Sequence, residues 1–172
     1  MKGVSGDTLI ITHKGEYTIR SLTDKSIIVW NGCKWVPALV KHIANDIPVL
    51  LVEILVAYIY DDTKGEYEFK LEQLLCTPDY QFLVKSSDNI DRIVDTLRFT
   101  SGYSCIAASH LKRGMALPNW ISAGKDIIES IVWGVYDISA KADVYSVDTS
   151  SIGTHTAILN YILTCTKNMT IR

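Results

Sequence analysis

Short runs of β-branched and aromatic residues, separated by turn residues, fill almost the whole sequence. Near the N-terminus, Thr8–Thr12 is one such run, Lys14-Gly15 supplies a turn, and Tyr17–Ile19 is the next run. Ile27–Trp30 then leads into Asn31-Gly32, the dipeptide most typical of a two-residue hairpin turn. Because no strand–helix–strand alternation occurs, this spacing predicts an all-β fold.

Longer apolar runs continue the pattern through the rest of the chain. Pro48 is predicted to open a strand that runs to Tyr60, and a bend is predicted between Leu74–Cys76 and Gln81–Val84. Helical periodicity predicts only a short helix over Asp88–Leu97 and a single turn over Ala107–Arg113. The other predicted strands are Tyr67–Leu71, Ile127–Trp133, Val135–Ile138, Val144–Val147, Thr156–Leu159 and Ile162–Cys165.

Composition is that of an ordinary globular protein, with 48% hydrophobic and 21% charged residues, and its 172 residues suit one domain spanning 1–172. The net charge of -2 predicts no long-range attraction to nucleic acid or to an anionic membrane. The sequence contains neither a membrane-spanning apolar run nor the apolar core of a secretory signal. We therefore expect a soluble, cytoplasmic protein with no nucleic-acid or membrane partner.

The four cysteines are scattered, and no two of them have metal-ligand spacing. Isolated thiols in a chain of this length are most often buried apolar residues, so neither a disulfide framework nor a zinc site is predicted. The sequence also lacks a glycine-rich phosphate loop and a defensible Ser-His-Asp order. It therefore predicts no cofactor and no metal, and it contains no signature of an enzyme with turnover. The cysteines are Cys33, Cys76, Cys105 and Cys165.

Four ordered blocks carry a family resemblance. The first begins Gly-Val-Ser-Gly-Asp-Thr at residue 3, the second is Leu75–Val84, the third is Ser109–Leu117, and the fourth includes His155–Thr164. Together the blocks (3–22, 74–84, 107–117 and 144–167) resemble those of inteins, which belong to the hedgehog/intein (Hint) superfamily. Inteins of ribonucleotide reductases, including phage and viral ones, are the most similar group.

The resemblance implies the Hint fold, an all-β horseshoe with pseudo-two-fold symmetry, at most one or two short helices, and termini that meet at the active site. The segment 85–127 is too short for a homing endonuclease domain and has no paired Asp-rich helices. For such a domain, the implied substrates are its own flanking peptide segments.

In that family the first intein residue, normally Cys, attacks the preceding carbonyl and converts an amide into a thioester. Gly3 occupies this nucleophile position, so the side chain is lost. Ser5 carries a hydroxyl two residues later, but it matches the ordinary Ser or Thr of the motif. The resemblance therefore implies that the first splicing step has lost its nucleophile.

The second block of the family contains Thr-x-x-His, whose imidazole protonates the departing amide nitrogen. Thr77 is retained, but Tyr80 stands at the His position. A phenol, with a reference pKa near 10, is a poor proton donor and acceptor at neutral pH. We expect Tyr80 to pack beside the site and not to act in it.

Splicing also needs a terminal Asn or Gln that cyclises, followed by a nucleophile. Thr166 stands at the terminal position, where a hydroxyl cannot form the imide, and Lys167 stands at the downstream nucleophile position. Cys165 lies just before them, at a position often held by His or a small residue. His155 is retained, and Ser146 replaces an Asp or Cys that assists the first step.

Five changed positions exceed what blocking cleavage would require, which favours natural loss over engineering. We therefore expect an intein-like domain that has lost autocatalytic cleavage and ligation. The alternative is a free-standing, possibly phage or viral, protein that reuses the Hint scaffold to bind a protein or small ligand. Met1-Lys2 directly before the first block, and the end of the chain five residues past Lys167, favour independent translation.

Overall fold

The computed structural model describes residues 1–31, 34–61, 63, 66–85, 103–120, 127–149, 156–159 and 162–165. These residues form twelve β-strands and two short 3-10 turns, Ile19–Leu22 and Ala108–His110, which confirms the all-β prediction. The helix predicted over Asp88–Leu97 lies outside the described residues. The strands are β1 Val4–Ser5, β2 Leu9–Thr12, β3 Gly15–Thr18, β4 Ser26–Trp30, β5 Trp35–Asp61, β6 Glu66–Cys76, β7 Gln81–Lys85, β8 Tyr103–Ala107, β9 Ala116–Trp120, β10 Ile127–Thr149, β11 Thr156–Leu159 and β12 Ile162–Cys165.

The strands form one continuous sheet whose ladders are antiparallel. Their order is β11-β2-β4-β5-β6-β1-β10-β9-β12-β7-β8, and β3 pairs with β2. Additional pairing of β5 with β10 and of β11 with β12 joins strands that are distant in this order. The short strand β1 thereby lies between β6 and β10, in the middle of the sheet.

Two strands are much longer than the sequence predicts. Pro48 does not open a strand; it lies inside β5, opposite Lys141 of β10. Pairing of β5 with β6 begins only at Leu50. On the side of β5 that faces β6, Pro48 therefore has no paired residue among those described, and its missing N–H removes no hydrogen bond there. The predicted breaks within 127–147 are likewise absent. Register shifts, including one next to Gly134 and one across Ser139 at a φ of 54°, keep β10 continuous.

The predicted hairpin between β4 and β5 forms, but the connection between its paired strands is longer than the two-residue turn that the sequence predicts. Trp30 pairs with Trp35, and the N–H of Asn31 donates to the carbonyl of Lys34. The buried Asn31 side chain accepts a second bond from the Lys34 N–H at 2.9 Å. Asn31 therefore contacts Lys34 through its backbone and its side chain, and residues 32–33 lie outside the described part of the chain.

Alternating side chains build the core. On β5, Val52, Ile54 and Val56 are fully buried, whereas the residues between them are only half-buried. Phe82 and Leu83 of β7 and Leu117 of β9 are among the largest of the fully buried side chains. In the part of the chain that the structure describes, we find no helix with the length and apolar character needed to cross a membrane.

Candidate functional site

The first and second blocks meet in the middle of the sheet. Val4 of β1 pairs with Cys76 of β6 on one side and with Tyr145 of β10 on the other. Gly3 directly precedes β1 and Thr77 directly follows β6. They are therefore neighbours in the fold, although they are 74 positions apart in the sequence. The fold thus brings together the two positions that the sequence assigns to the nucleophile and to the Thr of Thr-x-x-His.

Gly3 and Thr77 exchange two hydrogen bonds. The Gly3 N–H donates to Thr77 Oγ1 at 3.1 Å, and the Thr77 N–H donates to the Gly3 carbonyl at 2.9 Å. Thr77 is buried, so both bonds lie away from water, where an unpaired N–H costs the most. These bonds hold the backbone of Gly3 in one position and orientation.

The space beside Gly3 is closed to a side chain. A Cβ atom at residue 3 would lie 2.9 Å from the Tyr145 carbonyl oxygen, 3.1 Å from Val144 Cβ and 3.2 Å from Ile43 Cδ1. The first of these neighbours is backbone inside the paired strand β10, so it cannot rotate away as a flexible side chain can. Gly3 thus lacks both a nucleophile and the room for one.

Tyr80, at the His position, is buried and bonded. Its hydroxyl shares a 2.8 Å hydrogen bond with the fully buried Thr164 hydroxyl, and its N–H donates to the Thr77 carbonyl. The ring packs edge-on against Phe82, with the ring centroids 5.5 Å apart. The hydroxyl of Tyr80 thus links the second block to β12, which is a structural role.

Ser146 and Ser5 occupy different surroundings. Ser146 is half-buried on β10, next to Tyr145 and opposite Lys41 of β5. Ser5 is buried, with its hydroxyl 3.5 Å from that of Thr8. Neither serine has a described histidine or carboxylate hydrogen-bonded to its hydroxyl as a general base would be.

His42 is a neighbour of the site that the sequence analysis does not identify. It pairs with Tyr145 across β5 and β10, and the two rings are tilted with centroids 5.0 Å apart. The adjacent residue, Ile43, contacts the Gly3 position. No motif marks His42, because its place beside Tyr145 follows from the register of the two long strands.

Cys76 lies next to Thr77 but is not a substitute nucleophile. Its side chain is fully buried, and that burial, with a smaller effect of the Asp79 charge, raises the pKa of the thiol far above its usual range. Only the thiolate attacks a carbonyl, so this cysteine is chemically inert in the folded protein.

We expect Cys76 to resist alkylation in the native protein, whereas the half-buried Cys105 reacts. Iodoacetamide treatment at pH 8 followed by peptide mass mapping measures both, and the denatured protein is the control in which both thiols react. Native labelling of Cys76 as fast as that of Cys105 would contradict the assignment.

Asp79 connects the second block to the start of the chain. Its carboxylate accepts a 2.7 Å hydrogen bond from the Met1 amino group. Partial burial acts to raise the pKa of Asp79, but the hydrogen bonds from the amino group and from the Thr77 hydroxyl outweigh it and lower that pKa below its usual range. Thr77 therefore serves two partners, accepting from Gly3 and donating to Asp79.

The remaining predicted site residues are described only in part. Cys165 pairs with Thr156 in the β11–β12 hairpin, and its backbone alone is described. His155, Thr166 and Lys167 lie outside the described residues. Within the described part of the chain, no three His, Cys, Asp or Glu side chains lie together as a metal site requires.

The fold is that of solved inteins. The gp41-1 intein is 15% identical, with a TM-score of 0.62 over 96% of this chain and 98% of that one. A DnaB intein from Synechocystis sp. PCC 6803 is 16% identical, with a TM-score of 0.64 over 97% and 99%. A bacterial intein-like domain from Clostridium thermocellum is 18% identical, with a TM-score of 0.59 over 96% and 99%.

These likenesses confirm the predicted Hint fold over nearly the whole chain, at a sequence identity that supports the fold alone. No protein-family model matches the sequence, and neither does any curated protein.

Proposed function

We propose that this chain is a protein-splicing domain by descent, which keeps the intein scaffold and has lost autocatalytic cleavage and ligation. The observation that carries the proposal is the state of residue 3. The position that supplies the nucleophile in inteins holds a glycine, and the Tyr145 carbonyl oxygen occupies the space that a Cβ would need. Without a nucleophile there, the first acyl shift has no attacking group.

The contacts of Tyr80 support the same conclusion. General acid catalysis needs a group that transfers a proton to the leaving nitrogen near neutral pH. The Tyr80 hydroxyl instead shares its hydrogen bond with Thr164, a buried residue of β12. The nearby thiol of Cys76 supplies no alternative, because burial keeps it protonated.

The test is to fuse one folded protein before residue 1 and another after residue 172, and to follow the fusion by mass spectrometry. We expect the intact mass to persist at neutral pH, with added thiol and with hydroxylamine, since no thioester or ester forms for these reagents to cleave. An active mini-intein between the same two proteins is the control that shows that the fusion permits splicing.

A ligated product, or cleavage at residue 3 or residue 166, would overturn the proposal. Cleavage at residue 166 alone would show that the C-terminal step survives without the N-terminal one. Either product is identified directly from its mass, so the readout does not depend on an activity assay.

The relation to ribonucleotide-reductase inteins, a phage or viral origin and a cytoplasmic location stay predictions from the sequence. The reading frame that flanks the gene tests the first of these. An open frame into reductase-like sequence on both sides supports a remnant within a host protein, whereas stop codons support a protein translated on its own.

A further inference from the structure

An open cleft of about 780 Å³ lies beside β8. Cys105 and Ala107 of β8 line it, together with Leu111 and Met115 of the third block. Its volume is within the range of about 300–1,000 Å³ that is typical of small-ligand sites. The size and the largely apolar lining of the cleft are those of a site for a small ligand.

Backbone hydrogen bonds fix the part of the lining that belongs to the 3-10 turn Ala108–His110. The Ala108 N–H donates to the Tyr80 carbonyl at 2.8 Å, and the Ser109 N–H donates to the Pro78 carbonyl at 2.9 Å. Both acceptors belong to the second block, which the Tyr80 hydroxyl links to β12. A ligand therefore does not have to order this side of the cleft, which lowers the cost of binding.

The turn from Lys112 to Met115 carries a weakly engaged backbone donor. The Met115 N–H donates to the Lys112 carbonyl at 3.1 Å, and Gly114, at a φ of 92°, allows the chain to reverse here. The Lys112 N–H in turn donates to the Met115 thioether at 3.3 Å. Because a thioether sulfur is a weak acceptor, the oxygen of an anion can compete for this N–H.

The ionisable groups of the cleft favour an anion. Besides the cysteine thiol, the ionisable side chains among the described lining residues are Lys112 and His110, and both are bases. Lys112 supplies an exposed ammonium group, and His110 supplies a ring N–H in either protonation state. The carboxylate of Asp79, two residues before the lining residue Gln81, is engaged by the Met1 amino group at 2.7 Å.

We propose that this cleft binds a small organic acid with an aliphatic body. The carboxylate of the ligand lies beside Lys112 and His110, and its aliphatic body packs against apolar side chains such as Leu111 and Met115. The proposal rests on the volume of the cleft, its apolar lining and its two bases. It holds whether or not the chain cleaves itself, since the residues that carry it are not those of the splicing positions.

Octanoate and 1-octanol are suitable probes, because they share a chain of eight carbons and differ in charge. Titration of the full chain with each probe at pH 7.5, followed by NMR, measures binding from the shifts of the backbone amides of residues 105–115. We expect octanoate to bind with a Kd below about 1 mM, and 1-octanol to bind about threefold more weakly or worse.

Three variants test the assignment of the cleft. Lys112→Met removes the charge and keeps an apolar stem, so it should weaken octanoate about threefold and leave 1-octanol within about twofold. Lys14→Met is the matched control, because it makes the same change in the exposed turn between β2 and β3 and should leave both Kd values unchanged. Ala107→Leu fills space that either chain would occupy, so it should weaken both probes.

The thiol of Cys105 reports on the cleft directly, because it is part of the lining. Saturating octanoate should slow alkylation of Cys105 by iodoacetamide about threefold or more, since only the unoccupied protein reacts. No amide shifts up to about 10 mM octanoate, equal affinity for both probes, or an unchanged rate of Cys105 labelling would each overturn the proposal. So would an equal loss of octanoate binding in Lys14→Met and Lys112→Met, which would show a response to net charge alone.

Discussion

We expect Thr77→Val to lower the free energy of unfolding by about 2 kcal/mol at neutral pH. Valine keeps the shape of threonine but removes Oγ1, which accepts the Gly3 N–H at 3.1 Å in a buried setting. The cost is the desolvation of a backbone donor that no longer has this acceptor, and it exceeds the net value of an ordinary hydrogen bond. Urea denaturation measures the loss.

The same substitution should change how stability depends on pH. The Thr77 hydroxyl helps to keep the pKa of Asp79 below its usual range in the folded state. A carboxyl with a depressed folded pKa contributes stability that is present above its unfolded pKa, near 4, and is lost as the pH falls through the folded value. Thr77→Val removes part of that contribution, so its deficit against the parent should narrow below about pH 4.

Thr77→Ser is the matched control, because it keeps the hydroxyl and removes only a methyl group. It should retain the pH dependence and the slow hydrogen exchange of the Gly3 amide. A Val variant as stable as the parent, with an equally protected Gly3 amide, would show that Thr77 does not hold the start of β1.

The all-β fold is predictable from the sequence because its signals are local. Alternation on runs such as Thr8–Thr12, and turn residues such as Lys14-Gly15, specify strands and hairpins without knowledge of the rest of the chain. The continuity of β5 and β10 is not local. The sequence predicts that one strand begins at Pro48 and that another ends at Ile138, and only the ladder between β5 and β10 shows that both strands continue past these residues.

Part of the candidate site is likewise predictable from local motifs, and part depends on residues that are distant in the sequence. A motif at Gly3 and another at Thr77 are recognisable in the sequence, so their meeting is an expectation of the family resemblance. The partner of Tyr80 is not recognisable, because Thr164 lies 84 residues away and carries no distinguishing pattern. A side chain at residue 3 would be obstructed by the backbone oxygen of Tyr145. Because every residue has a carbonyl oxygen, no sequence pattern predicts this obstruction.

Gly3→Cys tests whether a thiol at residue 3 is enough to give thiol-dependent cleavage, and we expect that it is not. The new Cβ would lie 2.9 Å from the Tyr145 carbonyl oxygen, inside the closest approach that real Cβ atoms make. Relief requires β1 or β10 to shift against its ladder, as in an overpacked core, which costs about 1–3 kcal/mol. The shift also strains the two hydrogen bonds that orient Gly3 on Thr77.

Gly3→Ala separates the effect of bulk from that of the thiol, because it adds the same Cβ without sulfur. We expect both variants to lose similar stability in urea denaturation. Neither should release an upstream fusion partner on treatment with dithiothreitol, because the backbone that presents residue 3 is displaced and Tyr80 supplies no proton to the leaving nitrogen. Thiol-dependent cleavage by the Cys variant, with stability equal to that of the parent, would show that the scaffold still accommodates a nucleophile and that a single substitution removed the chemistry.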